Sequence, residues 1–454
     1  MNQLIPHLKT RVLLGTALIL SVAAVLSMVT RPSLKSRAVP TALSTSTGVR
    51  IEAKASHPVI APSGTEFFVE YAVTLQEGVV PESSRVSIAV VLDRSGSMNG
   101  TKLDDARRAV HRLVDMMKDG DELALITFGS EVTAGARVTL SDDSRRVLHA
   151  EIDTIVASGG TNISAGLQAG QRALESATAA RRLILISDGQ PTEGITEQYS
   201  LAAVVGTIHQ ARTTVTALGV GSDYDGNLLA MLSERGGGMV GHLQDVALLE
   251  EVLAKELTAA RQAVARNVEL RLDTHGANPA EAPGRTFFWE DLRPVLHLAD
   301  LRANVPTRVL VRYRSAAERD AAIADVDAEL RWTTLVGEVR TTRVPLQLVV
   351  VDDVEGVERM RDEPVFARGV SALGASRMLA AADAYQKGDD GRGSSLLDEA
   401  RGLFGMSADA LAGQGEVENV RNRMRKAGAS ERKSLNYGLE KKTLQNFGRE
   451  NEGY

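Results

Sequence analysis

Asp93, Ser95 and Ser97 place a carboxylate and two hydroxyls at alternate positions of the segment Asp93-Arg94-Ser95-Gly96-Ser97-Met98. In an extended or turning loop alternate residues point the same way, so three oxygens can converge on one point. Hard oxygen donors of this kind suit Mg²⁺, Mn²⁺ or Ca²⁺ rather than zinc. Two further oxygens stand at comparable places later in the chain. Thr161, in Ser158-Gly159-Gly160-Thr161-Asn162, precedes a helical pattern, and Asp188, in Leu185-Ile186-Ser187-Asp188-Gly189, follows an apolar run. Each of the three stretches has an ordinary explanation if taken alone: a solvated turn, a helix cap, a plain turn. Arriving in order, each after the right kind of element, they make one oxygen-lined cation site.

The elements that must position these oxygens alternate in type. Ser87–Asp93 (SIAVVLD) is a short β-branched run, as a strand covered on both faces requires. Leu103, Ala106, Val110, Leu113, Val114 and Met117 then fall at helical steps of three and four. Strand patterns (ELALITF, RRLILISD, TTVTALGVG) continue to alternate with helical ones, which predicts crossover units and a mostly parallel, doubly wound sheet. The segment EVTAGARVTL reads as an antiparallel edge. In open sheets of this class ligands bind at the carboxyl ends of the strands, where Asp93 and Asp188 both stand.

Asp93, Ser95, Ser97, Thr161 and Asp188 resemble the metal-ion-dependent adhesion site of the von Willebrand factor A family, Asp-x-Ser-x-Ser with a distant Thr and a distant Asp, without departure at any position. The resemblance runs from about Arg85 to Ala260. It implies that the serines, Thr161 and the aspartates hold a divalent ion, Mg²⁺ with Mn²⁺ or Ca²⁺ as alternatives, directly or through water. It also implies that an acidic residue of a partner protein completes the coordination. That is a binding device and not an enzyme, and no general base or nucleophile with a partner stands nearby. The family also contains chelatase-type subunits that work with an ATPase and channel-regulating proteins, so an accessory subunit of such a complex is the alternative. A third reading is a metal that only stabilises the fold.

Other chemistry is thinly represented. The chain has no cysteine, which removes disulfides, thiolate sites and thiol nucleophiles. It contains neither a phosphate loop nor His-Glu-x-x-His, and its 8 histidines show no metal-ligand spacing. A net charge of −6 argues against nucleic acid as a partner. Gly236-Gly237-Gly238 reads as a helix stop and turn, Arg308, Arg312 and Arg314 as a solvated strand face, and Trp289 and Trp332 as sandwich core.

With 454 residues the chain is long enough for two or three folded units. Residues 1–47 are expected to be an anchor or signal followed by a Ser/Thr/Pro-rich tether. Val12–Val29 is uncharged and apolar, roughly 27 Å as a helix, which favours an uncleaved membrane anchor with the bulk of the chain outside the cytoplasm, periplasmic or extracellular. Period-two patterning over 48–84 and again over 261–355 predicts one β-sandwich interrupted by the α/β domain at 85–260, with two separate small β units flanking it as the alternative. Residues 356–429 read as a helical hairpin and 430–454 as a disordered tail.

Overall fold

The computed structural model describes residues 41–46, 48–75, 85–188, 190–221, 225–243, 246–303, 305–318, 321–443 and 447. The expected anchor at Val12–Val29 lies outside them, and among the described residues no helix is long and apolar enough to cross a membrane.

At the centre is the strand Val86–Asp93, buried along its whole length. It pairs in parallel with Glu122–Phe128 on one side and Ala180–Ser187 on the other, and Thr213–Val220 and Gly237–Leu243 extend the sheet in parallel. Val132–Ala134 and Val138–Thr139 add the antiparallel edge. Strand alternation then sorts the core. Ile88, Val90 and Leu92 meet Leu103, Val110 and Leu113 of the helix Thr101–Met116 and Leu253 of Val246–Gln262 on one face. Ala89 and Val91 meet Leu167 of Ile163–Leu174, Val205 of Gln198–Gln210 and Leu232 of Gly226–Arg235 on the other. The fold is thus the doubly wound α/β class that the alternation predicts.

Two glycines bring one of these helices close to the sheet. A Cβ on Gly170 would lie 2.7 Å from Val91 Cγ2, and one on Gly166 would lie 2.9 Å from Phe128 Cδ1. The absence of side chains there lets Ile163–Leu174 lie directly on the strands, and so fixes where Thr161 enters the site.

Strands from both sides of the central sequence interleave in a two-sheet sandwich. One sheet runs Thr41–Ser46, Val49–Ala55, Ser63–Leu75, Thr307–Ala316, Ala277–Glu281. The other runs Phe288–Glu290, Arg293–Leu298, Ala263–His275, Ile323–Thr334, Gln347–Val350, Val59–Ile60. Phe67, Val69, Tyr71 and Val73 face Leu270, Leu330 and Trp332 in its core, where the Tyr71 and Tyr313 hydroxyls bond at 2.8 Å. The helix Val246–Gln262 passes without a break into Ala263–His275. A buried ion pair, Arg182 Nη2 to Asp300 Oδ2 at 2.6 Å, adds a second link between the central sheet and the sandwich.

Three expectations need correction. Trp289 is not core: it is 68% exposed, against 2% for Trp332. The C-terminal region holds more than a hairpin, with helices at Val354–Arg359, Glu363–Gln386, Asp390–Phe404, Ala412–Lys426 and Ala429–Thr443. The last of these replaces the disorder expected from 430 onward. Its polar sequence has no clear apolar face, and its order comes from tertiary contacts. Arg432 donates to the Tyr385 carbonyl at 2.7 Å and lies 5.6 Å over the Tyr385 ring, and Leu439 is buried. Residues 444–446 and 448–454 lie outside the described set.

Candidate metal centre

Asp93 ends the central strand and is fully buried. Its Oδ1 accepts the Ser95 backbone N–H at 2.7 Å, and its Oδ2 accepts the Ser187 hydroxyl at 2.6 Å. Ser95 Oγ and Ser97 Oγ are 3.0 Å apart, and the Ser97 hydroxyl donates to Asp188 Oδ1 at 2.8 Å. Asp188, 2% exposed, also accepts from Lys102 Nζ at 2.5 Å through Oδ2. Four of the five residues singled out from sequence are therefore joined by one hydrogen-bond network.

The loop around them is fixed by main chain. Arg94 N–H donates to the Phe128 carbonyl at 2.7 Å, Ser158 N–H to the Arg94 carbonyl at 2.7 Å, and Gly96 N–H to the Gly159 carbonyl at 2.9 Å. Gly159 takes φ +82°, which favours glycine at this turn. Thr161 follows directly and is 4% exposed. Its N–H donates to Thr192 Oγ1 at 2.8 Å, and its carbonyl accepts from Thr192 and Glu193, so the loop after Asp188 is tied to it. The helix cap is Asn162, whose Oδ1 accepts the Ala165 N–H at 3.1 Å, so capping does not call on the Thr161 hydroxyl.

Burial raises the Asp93 carboxyl above the usual carboxylate range; hydrogen bonds from Ser187 and Ser95 act against this, and the Asp188 charge reinforces it. Two carboxylates held this close and this dry call for a cation. The Lys102 ammonium supplies one charge and stands in for an ion at Asp188. The donor set, two carboxylates with neutral hydroxyls, fits a hard divalent ion; Asp93, Ser95, Ser97 and Asp188 are the residues that would hold it, with Thr161 next to them in the chain of loops. Lys102 and Ser187 were not picked out by sequence reasoning. The available signal was position: Ser187 precedes Asp188, and Lys102 stands in the first turn of the helix after the serine loop.

A second group of ligand-type side chains, His209, Glu269 and His297, is buried at the seam with the sandwich, one ligand atom of each within 4.8 Å of the others. His209 Nδ1–H donates to the Gly236 carbonyl at 2.9 Å, and burial lowers this histidine to about 3, so it is neutral. His297 Nε2 lies 2.6 Å from Arg235 Nη1 and must accept from it, which leaves the His297 proton on Nδ1. The Glu269 carboxylate already accepts two bonds from Arg271, at 2.7 and 3.0 Å. The cluster's polar atoms are engaged in part by the Gly236 carbonyl, Arg235 and Arg271, and it lies at the seam between the central domain and the sandwich.

The model of the von Willebrand factor type A domain family matches residues 87–255. Inter-alpha-trypsin inhibitor heavy chain H1 from Bos taurus is 30% identical over 169 residues, 35% of this chain and 19% of that protein. The uncharacterized protein YfbK from Escherichia coli (strain K12) is 26% identical over 199 residues, 43% of this chain and 34% of that one. The chain therefore matches only a fifth to a third of the length of these curated relatives. Among solved structures, a von Willebrand factor type A protein from Catenulispora acidiphila superimposes with a TM-score of 0.62 at 18% identity, covering 86% of this chain and 91% of that one. The ArnB paralog VWA2 from Sulfolobus acidocaldarius does so with a TM-score of 0.57 at 17% identity, covering 87% and 98%. At these identities the likeness speaks for the fold, and it extends over the sandwich as well as the central sheet. Residues 87–255 of this chain are a von Willebrand factor type A domain.

Proposed function

We propose that this protein is a metal-dependent protein-binding module of the adhesion or scaffold kind, anchored at a membrane by Val12–Val29 with its folded part outside the cytoplasm. Asp93, Ser95, Ser97, Thr161 and Asp188 hold Mg²⁺, with Mn²⁺ or Ca²⁺ as substitutes, and the ion bridges to an aspartate or glutamate of the partner protein. The observation that carries this reading is the buried pair of carboxylates, Asp93 and Asp188, linked through the Ser95 backbone N–H and the adjoining Ser95 and Ser97 hydroxyls at one end of the central sheet. Neutral hydroxyls leave the ion electrophilic, so a carboxylate from outside is attracted strongly. The module works by binding and not by catalysis. The inter-alpha-trypsin inhibitor heavy chains and YfbK carry the same kind of domain, which supports an interaction role.

The test is a pull-down on the full-length chain in detergent, with Mg²⁺ and with a chelator, beside Asp93→Ala. Partners retained only with the ion and lost in the variant are the expected result. Partners bound equally in all three conditions would show that recognition lies elsewhere on the molecule.

A further inference from the structure

His111 and His149 stand 38 residues apart in sequence, on the neighbouring helices Thr101–Met116 and Asp142–Asp153. Their Nδ1 atoms are 2.6 Å apart, with ring centroids at 4.9 Å and planes 25° from parallel, so the rings meet nitrogen to nitrogen. The far nitrogens both face carboxylates. His111 Nε2 is 3.0 Å from Asp153 Oδ1, and His149 Nε2 is 3.1 Å from Asp115 Oδ1.

A carboxylate can only accept, so each Nε2 must carry its proton and donate. If both rings are neutral, each Nδ1 then presents a lone pair, and the two lone pairs point at one another across 2.6 Å. That contact is repulsive unless a positive charge sits between them. A proton or a metal ion held between the two nitrogens supplies that charge.

We propose that a divalent transition-metal ion of the zinc class replaces that proton, with His111 and His149 as ligands and Asp153 and Asp115 as the carboxylates that orient them. A histidine that ligates through one nitrogen and donates from the other to a carboxylate is the usual support of a metal-bound imidazole, and here both ligands have it. Imidazole nitrogens select zinc, copper or nickel over magnesium, so the site differs in kind from the oxygen-lined centre at Asp93. Zinc–nitrogen bonds of about 2.0–2.1 Å at a tetrahedral angle set the nitrogens about 3.4 Å apart, so the rings must separate by just under about 1 Å and turn until both lone pairs meet at the ion. The side chains are 26% and 30% exposed, which leaves them room to move and solvent a way in. Water fills the remaining positions. Arg107, one turn before His111, is taken up by the Asp153 and Ile155 carbonyls and by Asp104. Metal entry displaces the shared proton to solvent, one per ion.

The experiment is a calorimetric zinc titration of the full-length Asp93→Ala chain in detergent, which silences the oxygen-lined centre, in two buffers of different ionisation enthalpy. His111→Gln, His149→Gln and Asp115→Asn are compared in the same background, with an unfolding midpoint for each to establish that it is folded. The expected result is one zinc equivalent with about one proton released, at least tenfold weaker in either histidine variant and about tenfold weaker in Asp115→Asn. Zinc heat unchanged in both histidine variants, or absent from the parent chain, would overturn the site and leave the pair as a proton-sharing contact between two helices. Asp115→Asn, at an exposed position, keeps the test open should a histidine variant fail to fold.

Discussion

Lys102 Nζ lies 2.5 Å from Asp188 Oδ2, so the chain supplies its own cation to the carboxylate that a divalent ion would need. Asp188 is buried, and its other oxygen accepts from Ser97. A tethered ammonium in this place lowers the charge of the site and repels an incoming ion. Lys102→Met is therefore expected to tighten Mn²⁺ binding at least tenfold, about 1.4 kcal/mol, read by electron paramagnetic resonance of the free ion. Weaker binding in this variant would mean that Lys102 orients Asp188 for the metal and does not compete with it. An absence of Mn²⁺ binding in the parent chain would instead reject the metal reading itself.

Ser187 has a different part, because its hydroxyl donates to the fully buried Asp93 Oδ2 at 2.6 Å. Ser187→Ala leaves that carboxylate oxygen short of a donor in a place water does not reach. The expected cost is about 1–3 kcal/mol of stability by denaturant unfolding. Addition of Mn²⁺ is expected to recover part of the loss in Ser187→Ala. No recovery would argue that the ion does not reach Asp93.

The Arg182–Asp300 pair, 2.6 Å long with both side chains about 5% exposed or less, joins the central sheet to the sandwich. Removing one partner strands a charge in the seam. Arg182→Met is expected to cost about 3–5 kcal/mol, and the double variant Arg182→Met with Asp300→Leu to recover much of it. Equal losses in single and double variants would show that the site needs the ions for packing and not for charge balance.

Acid sensitivity is expected from two buried histidines. Burial, with the Arg361 charge, lowers His57 from 6.5 to about 4, and burial, with His297, lowers His209 from 6.5 to about 3. Both pKa values lie below that of the unfolded chain, so between 6.5 and these values the unfolded state takes up protons that the folded state refuses. Their contribution is fully present above pH 6.5 and is lost as pH falls through that window, by up to about 1.4 kcal/mol per pH unit for each histidine. Urea midpoints at several pH values test this, and His57→Gln should flatten the slope by one histidine's share. An unchanged slope in His57→Gln would remove that residue from the account.

Much of this was open to a reader of the sequence. The fold class follows from local pattern, because a period of two or 3.6 in apolar residues reports which face is covered wherever the element ends up. The strand Val86–Asp93 and the helix Thr101–Met116 are of that kind. The oxygens of Asp93, Ser95 and Ser97 were legible for the same reason, since three donors on one loop need no tertiary information to converge. Trp289 shows the limit: an aromatic beside Phe287 and Phe288 reads as core from its type alone, and only its place on the edge strand decides that the ring faces water.

Tertiary structure alone decided the contacts made across the sequence. Lys102 meets Asp188 over 86 residues, Ser187 meets Asp93 over 94, and His111 meets His149 over 38. No spacing rule relates such pairs, because their distance depends on how strands are ordered and helices laid against the sheet. The helix Ala429–Thr443 belongs with them: its sequence carries no strong periodic face, and it is held by Arg432 against Tyr385. The sequence by itself determined the elements and the kinds of donor at their ends, since these depend on neighbours in the chain. Which donors share a cation depends on neighbours in space, and that is settled only when the sheet has formed.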